Sequence, residues 1–132
     1  LKRIAKAEGV YTDTRFRDEI AKLEVDVVAL EMLVLRVLSA EKSGKQSLDI
    51  AGLLKIKGSE IQQRYSELMM LAAGPYSTPF IEEAMEAGWQ GDHVGAAHCA
   101  PLASTYFNMR KTTIYGGSNE VQRNIVAQVV LG

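Results

Sequence analysis

The sequence predicts a single all-α domain, an antiparallel bundle of helices, and two observations lead to that prediction. Apolar residues recur three and four positions apart over two long segments, which is the spacing that places them on one face of a helix. No segment alternates apolar and polar residues with a period of two, as a half-buried strand would. The 132 residues, of which 47% are hydrophobic, suit one globular domain with a core of its own.

The first long helix is predicted over Thr14–Lys42 and is expected to end at Ser43-Gly44, where glycine suits a left-handed turn. Side-chain oxygens at residues 12–14 can cap its N terminus. Other apolar residues flank the main stripe, so we expect burial on more than one side. The stripe comprises Ile20, Leu23, Val27, Leu30, Val34 and Val37, flanked by Val28, Leu35 and Leu38.

The second helix is predicted over residues 47–73 and ends at Gly74-Pro75, a pair that cannot continue a helix. Gly58 falls on its apolar stripe. It either permits a close approach of another helix or is an indifferent substitution that costs about 0.5–1 kcal/mol against alanine. The other members of the stripe are Ile50, Leu54, Ile61, Tyr65, Leu68 and Ala72.

The remaining segments are shorter. Residues 76–100 read as a long loop with a possible two-turn helix at 81–87, and a third helix is predicted over 102–111. A turn at Gly116-Gly117 precedes a last helix over 119–130. Its predicted inner stripe is Val121, Ile125 and Val129, with Val126 beside it.

Composition excludes several classes of partner. The net charge is −1, and the fifteen basic residues are scattered, so we expect neither nucleic acid nor a membrane as partner. No apolar stretch reaches the about 18–20 residues that span a bilayer. A single cysteine, Cys99, allows no intrachain disulfide and favours a reducing compartment, the cytoplasm.

A cluster of potential metal ligands lies in the long loop and comprises Asp92, His93, His98 and Cys99. Their spacing matches no zinc pattern. We therefore expect a surface loop there and no metal site.

The segment from Arg110 to Ile125 is a glycine turn that leads into a helix N terminus. Ser118 or Asn119 can cap the first turn, and Glu120 lies where a negative charge meets the positive end of the helix dipole. Free backbone N–H groups at such a turn can bind a carbonyl oxygen or a phosphate. Most Gly-Gly turns before helices are only turns, so this feature alone assigns no function.

The complete string IYGGSNEVQRNIVAQVVLG resembles the C-terminal signature of acyl-CoA dehydrogenases, in which a Tyr-Glu-Gly-Thr or Tyr-Gly-Gly-Thr/Ser loop precedes a helix with Gln-Arg. Residues 23–39 and 53–76 are similar to the preceding helices of that family's C-terminal domain. The likeness covers nearly the whole chain, and the branch it looks closest to is the pimeloyl-CoA dehydrogenase large subunit.

The resemblance implies the fold and the activity of a longer enzyme. These proteins use FAD to desaturate an acyl-CoA thioester between its α and β carbons, and they pass electrons to an electron-transferring flavoprotein. They assemble as dimers of dimers. The chain opens inside a helix-like pattern, so we expect the first helix of the domain to lie upstream of Leu1 and the isolated chain to be inactive. We also expect exposed apolar surface and self-association.

The resemblance also implies roles for individual residues. Gly116 stands where many members carry the catalytic glutamate, so no catalytic residue is expected in this chain. The base would then lie upstream of Leu1, or the subunit would be catalytically silent beside an active one. The Gly116 N–H would bind the thioester carbonyl. The resemblance further assigns Tyr115 and Gly117 to the substrate, Ser118, Glu120 and Gly74 to the flavin dinucleotide, and Gln122 and Arg123 to contacts of the last helix with its neighbours.

Two other functions stay open at this point. The chain could belong to a non-catalytic subunit that scaffolds a heteromeric dehydrogenase, which the glycine at position 116 favours. It could also be an unrelated helical interaction module, which composition alone allows.

Overall fold

Helices account for most of the computed structural model, which describes residues 1–42 and 48–131. Within these two ranges no strand occurs, so the prediction of an all-α fold is confirmed. The helices are α1 (Lys2–Ala7), α2 (Thr14–Lys42), α3 (Leu48–Ala73), α4 (Leu102–Met109) and α5 (Asn119–Leu131). Single turns of 3-10 helix lie at Val10–Thr12, Gly74–Ser77, Glu82–Met85, Ala97–Cys99 and Arg110–Thr113.

The predicted start of α2 and the predicted end of α3 agree with local chemistry, whereas α4 ends at Met109, two residues before its predicted end. Asp13 caps α2, because its Oδ1 accepts the backbone N–H of Arg15 at 2.9 Å. α3 ends before Gly74, whose φ of +59° is left-handed. The predicted end at Ser43-Gly44 and the predicted start at Ser47 lie outside the described residues. The two-turn helix predicted at 81–87 is shorter than expected, a single 3-10 turn at Glu82–Met85.

α3 is the central element, since it contacts α1, α2, α4 and α5. Its predicted apolar stripe is buried at Leu68 and Ala72, whereas Tyr65 is 42% exposed. A second buried stripe, which the apolar pattern did not predict, follows another face at spacings of three, four and seven residues. It consists of Gly52, Ile56, Ser59, Ser66 and Ala73.

A continuous apolar core joins the end of α3 to α1, α2 and the start of α4. Cys99 is fully buried in this core, and burial, followed by the nearby charge of Glu8, raises the pKa of its thiol. The core residues are Ile4, Ala5, Ile20, Ala72, Ala73, Cys99 and Leu102.

The close approach of two helices occurs at Gly52. A Cβ added there would lie 2.8 Å from Val126 Cγ2 and 3.2 Å from Gln122 Oε1, so α5 packs directly on the α3 backbone. At Gly58 an added Cβ would meet nothing within 4 Å. The close packing that the sequence suggested at Gly58 is therefore wrong, and the contact lies six residues earlier.

The predicted inner face of α5 is not the face that the structure buries, so that prediction is wrong. Val121, Ile125 and Val129 are exposed, and α5 turns Asn119, Gln122 and Val126 towards α3 instead. The reason is that α3 presents small and polar side chains here, which pair with the polar residues of α5.

The expectation that α2 is buried on more than one side is also wrong. Ile20 and Leu23 are buried near its start, but Val27 and Val34 are exposed farther along. The neighbours of α2 therefore cover its first turns best and leave much apolar surface open. The flanking residues Val28, Leu35 and Leu38 are likewise exposed, as are Val25 and Met32. None of the described helices combines the length and the apolarity needed to cross a membrane.

We predict opposite effects of alanine at two glycines of α3. Both substitutions gain helix propensity of about 0.5–1 kcal/mol. Gly58→Ala should keep that gain because its Cβ meets open space. Gly52→Ala should be less stable than the wild type, because overpacking against Val126 costs about 1–3 kcal/mol and outweighs the gain in helix propensity. Urea unfolding measures both, and equal stabilities of the two variants would contradict the packing described here.

We predict concentration-dependent self-association of the 132-residue chain, since exposed apolar stripes run along α2 and α5. Leu35→Glu or Val121→Lys should weaken association about tenfold or more, because each would bury an unpaired charge. Size-exclusion chromatography with light scattering gives the mass at each concentration. Asp26→Lys, an exposed polar position on α2, is the control. A monomer at every concentration would contradict the prediction.

Candidate functional site

The turn before α5 is built on two consecutive left-handed glycines. Gly116 has a φ of +67° and Gly117 a φ of +84°, a region that other residues rarely adopt. A Cβ at Gly117 would also lie 2.7 Å from Gln122 Nε2, so the Gln122 amide would have to move. We call residues 115–118 the diglycine turn.

Side-chain hydrogen bonds join the diglycine turn to α5. Gln122 Nε2 donates to the Gly116 carbonyl at 3.1 Å, and Ser118 Oγ accepts the Val121 N–H at 3.3 Å. Arg123 pairs with Glu60 of α3 across 3.1 Å. The predictions that Ser118 caps α5 and that Gln122 and Arg123 connect it to its neighbours are confirmed.

Asn119, the first residue of α5, is 4% exposed and does not act as the cap. Its Oδ1 accepts from Lys55 Nζ at 2.6 Å, and its Nδ2 donates to Ser59 Oγ at 3.1 Å. Both partners belong to α3. The start of α5 is therefore bonded to the central helix by side chains 60 and 64 residues away in sequence.

The segment that enters the turn is held by a reciprocal pair. Arg110 Nη2 donates to the Gln63 carbonyl at 2.9 Å and to Ser66 Oγ at 3.2 Å. Gln63 Nε2 donates back to the Arg110 carbonyl at 3.1 Å. The Arg110 guanidinium also lies 4.2 Å from the centre of the Tyr106 ring. Both ends of the diglycine turn are thus fixed to α3.

The diglycine turn borders a cavity of about 250 Å³ between α3 and the 3-10 helix at Arg110–Thr113. Tyr115 and Gly116 form one wall, and Gly58 leaves the opposite wall open because it has no side chain. The remaining lining combines polar side chains with apolar surface. It consists of Leu54, Lys55, Ser59, Gln62 and Thr112.

The electrostatics of the turn favour the charged form of Glu120. Its own backbone N–H and the Ser118 hydroxyl hold the pKa of this carboxyl below its ordinary value, and the charges of Arg123 and Lys55 act in the same direction. The position at the start of α5 agrees with the predicted helix-dipole interaction.

The six residues that the sequence assigned to substrate or cofactor lie in two separate parts of the structure. Tyr115, Gly116, Gly117, Ser118 and Glu120 lie together in and directly after the diglycine turn. Gly74 follows the other end of α3, roughly 28 Å from Lys55 by helical rise. The sequence analysis missed Lys55, Ser59, Gln63 and Arg110, and only the polar members of the second α3 stripe signalled a buried face there.

The potential metal ligands of the long loop do not all lie together in the structure. His93 Nδ1 lies 3.1 Å from the Gly95 carbonyl in an exposed segment, and Asp92 is also exposed. His98 Nε2 instead lies 2.7 Å from Glu8 Oε1, and one ligand atom from each of Glu8, His98 and Cys99 falls within 4.8 Å. These three residues lie between the end of α1 and the 3-10 helix at Ala97–Cys99, and burial raises the pKa of the Cys99 thiol.

Comparisons with known proteins agree with this architecture. The family model described as acyl-CoA dehydrogenase, C-terminal domain, matches residues 2–131. The chain is similar to the acyl-CoA dehydrogenase IpdE1 of Mycolicibacterium smegmatis, with 26% identity over 132 residues. That match covers 100% of this chain and 29% of the relative. No solved structure matches the chain significantly. The comparisons do not support the narrower likeness to the pimeloyl-CoA branch. The match over almost every residue means that this chain belongs to the acyl-CoA dehydrogenase C-terminal domain family.

Proposed function

We propose that this chain is the C-terminal helical domain of a longer, FAD-dependent acyl-CoA dehydrogenase that introduces a double bond between the α and β carbons of an acyl-CoA thioester. In this proposal the diglycine turn contacts the thioester and the flavin, and the exposed faces of α2 and α5 belong to an oligomer interface. The isolated chain has no activity, because the rest of the substrate and flavin surface lies on other domains.

The observation that carries the proposal is the state of the turn's backbone N–H groups. In the part of the chain that the structure describes, the N–H groups of Gly116 and Gly117 donate to no acceptor. Both residues are exposed, and contacts on each side fix their backbone. Preorganised donors of this kind stabilise an oxygen that gains negative charge during a reaction.

The residues of the turn also fit a flavin dinucleotide. The Ser118 hydroxyl and the free N–H groups offer hydrogen bonds at a helix N terminus, where anionic phosphate is stabilised. Gly74 would contribute at a distant part of the cofactor or to a cofactor held with a neighbouring subunit. When bound, FAD supplies the hydride acceptor, which no amino-acid side chain can provide.

The chain's own contribution to the chemistry is to make the α proton more acidic. An N–H bond from Gly116 to the thioester carbonyl stabilises the enolate-like charge that develops when the proton leaves. Tyr115, 55% exposed beside the cavity, packs along the acyl chain. Gly116 has no side chain, so the carboxylate that takes the proton comes from outside these 132 residues.

A non-catalytic subunit is the second candidate, and the conformation of Gly116 favours it. Position 116 lacks a carboxylate, and its left-handed backbone is also a conformation that favours glycine. Such a subunit would keep the oligomer interface and pair with an active partner. The presence or absence of a glutamate on the helix upstream of Leu1 in the complete polypeptide discriminates the two.

The remaining partners follow from the family. The proposed enzyme binds an acyl-CoA, passes electrons to an electron-transferring flavoprotein and assembles as a homo- or hetero-oligomer, a dimer of dimers. The exposed apolar residues of α2 and α5 support an interface of this kind. The free thiol of Cys99 supports a cytoplasmic location.

We predict that the full-length protein purifies yellow and shows the two visible absorption bands of an oxidised flavin. Anaerobic addition of one member of an acyl-CoA panel should bleach the long-wavelength band. A coloured protein that no acyl-CoA bleaches would support the non-catalytic subunit. A colourless protein that takes up no added FAD would contradict the proposed FAD-dependent enzyme.

We predict that Gly116→Glu does not raise the rate of desaturation in the full-length protein. A side chain at a φ of +67° costs about 1–2 kcal/mol, so the turn would be strained before the carboxylate could act. Gly116→Ala is the matched control and should lose similar stability. A rate for the Glu variant above that of both the wild type and the Ala variant would contradict this expectation.

A further inference from the structure

Lys55 of α3 contacts the residue that directly follows the diglycine turn, and nothing in the sequence pattern gave it a role. Lys55 Nζ lies 2.6 Å from Asn119 Oδ1, and Lys55 borders the same cavity as Tyr115 and Gly116. The nearby Lys57 differs. It is exposed and pairs with Glu60 on its own helix across 3.1 Å.

The donors and acceptors around Asn119 form a directed chain. An ammonium can only donate, so Lys55 requires the oxygen of the Asn119 amide on its side. The amide nitrogen then faces Ser59 Oγ at 3.1 Å. Ser59 in turn donates to the Ile56 carbonyl at 2.8 Å, a shorter contact than its 3.2 Å separation from Asn119 Oδ1. The charge of Lys55 thus selects one orientation of a buried amide.

That orientation matters because Asn119 directly follows the diglycine turn. Asn119 and Ser59 are both buried, so water cannot replace a lost partner easily. Rotation of the amide would break the bond to Ser59 and release the first turn of α5 from α3. Gln122, one helical turn later, binds the Gly116 carbonyl and would move with it.

We propose that Lys55 is a positioning residue that acts through Asn119 to hold the diglycine turn, and with it the Gly116 N–H, in place for the thioester carbonyl. The inference rests on the proposed function and adds a residue to it. Its positive charge beside the cavity also favours negative charge on a bound oxygen.

The experiment uses the full-length enzyme and compares Lys55→Met with Lys57→Met. Lys55→Met should lower kcat about tenfold or more, because a small misplacement of a reacting group has an effect of that order. Hydrogen exchange at residues 116–119 should become about tenfold faster as the turn loosens. Lys57→Met should change neither, and flavin content and thermal stability are measured for every variant.

Lys55→Arg is the rescue variant, since a guanidinium also donates to the Asn119 oxygen. It should recover most of the lost rate and the slow exchange, which a purely structural defect in packing would not predict. If Lys55→Met fails to fold, Lys55→Gln takes its place with the same expected losses, because an amide can turn either a donor or an acceptor towards Asn119 and therefore selects no orientation.

The outcomes separate the two proposals. A wild-type protein that binds no flavin and desaturates no acyl-CoA contradicts the proposed function. A wild-type enzyme that is active, with Lys55→Met equal to Lys57→Met in kcat or in exchange at residues 116–119, overturns the role of Lys55 and leaves the function standing.

Discussion

The contact between α3 and α5 is the constraint on which the rest of the structure depends. Gly52 removes the side chain that would keep the two helices apart, so Val126 and Gln122 pack directly on the α3 backbone. That approach brings Asn119 within bonding distance of Lys55 and Ser59. It also fixes where α5 begins, and the diglycine turn takes its position from that starting point.

The sequence predicted those features that local chemistry determines. Gly74-Pro75 ends α3, and the side chains of Asp13 and Ser118 cap the N termini of α2 and α5. Each of these residues acts on its immediate neighbours in the sequence. The residues of the diglycine turn were predictable for the same reason, since they are consecutive. Lys55 was not, because its partner lies 64 residues away and nothing in the local pattern of α3 marks it.

The errors have one physical origin. Apolar periodicity shows that a helix face avoids water but does not show what covers it. On α5 the regular valine and isoleucine positions remain exposed, while the face that contacts α3 carries Asn119 and Gln122. On α3 the second buried face combines glycine with serine residues whose hydroxyls bond to carbonyls, so it looks solvent-exposed in the sequence.

The left-handed conformation at Gly116 has an evolutionary consequence. Glycine and glutamate codons can differ by a single base, so mutation would offer the carboxylate often. The backbone would disfavour it, because a side chain at a φ of +67° costs about 1–2 kcal/mol. A lineage with this turn would accept an acidic group there more readily after neighbouring residues had reshaped the loop.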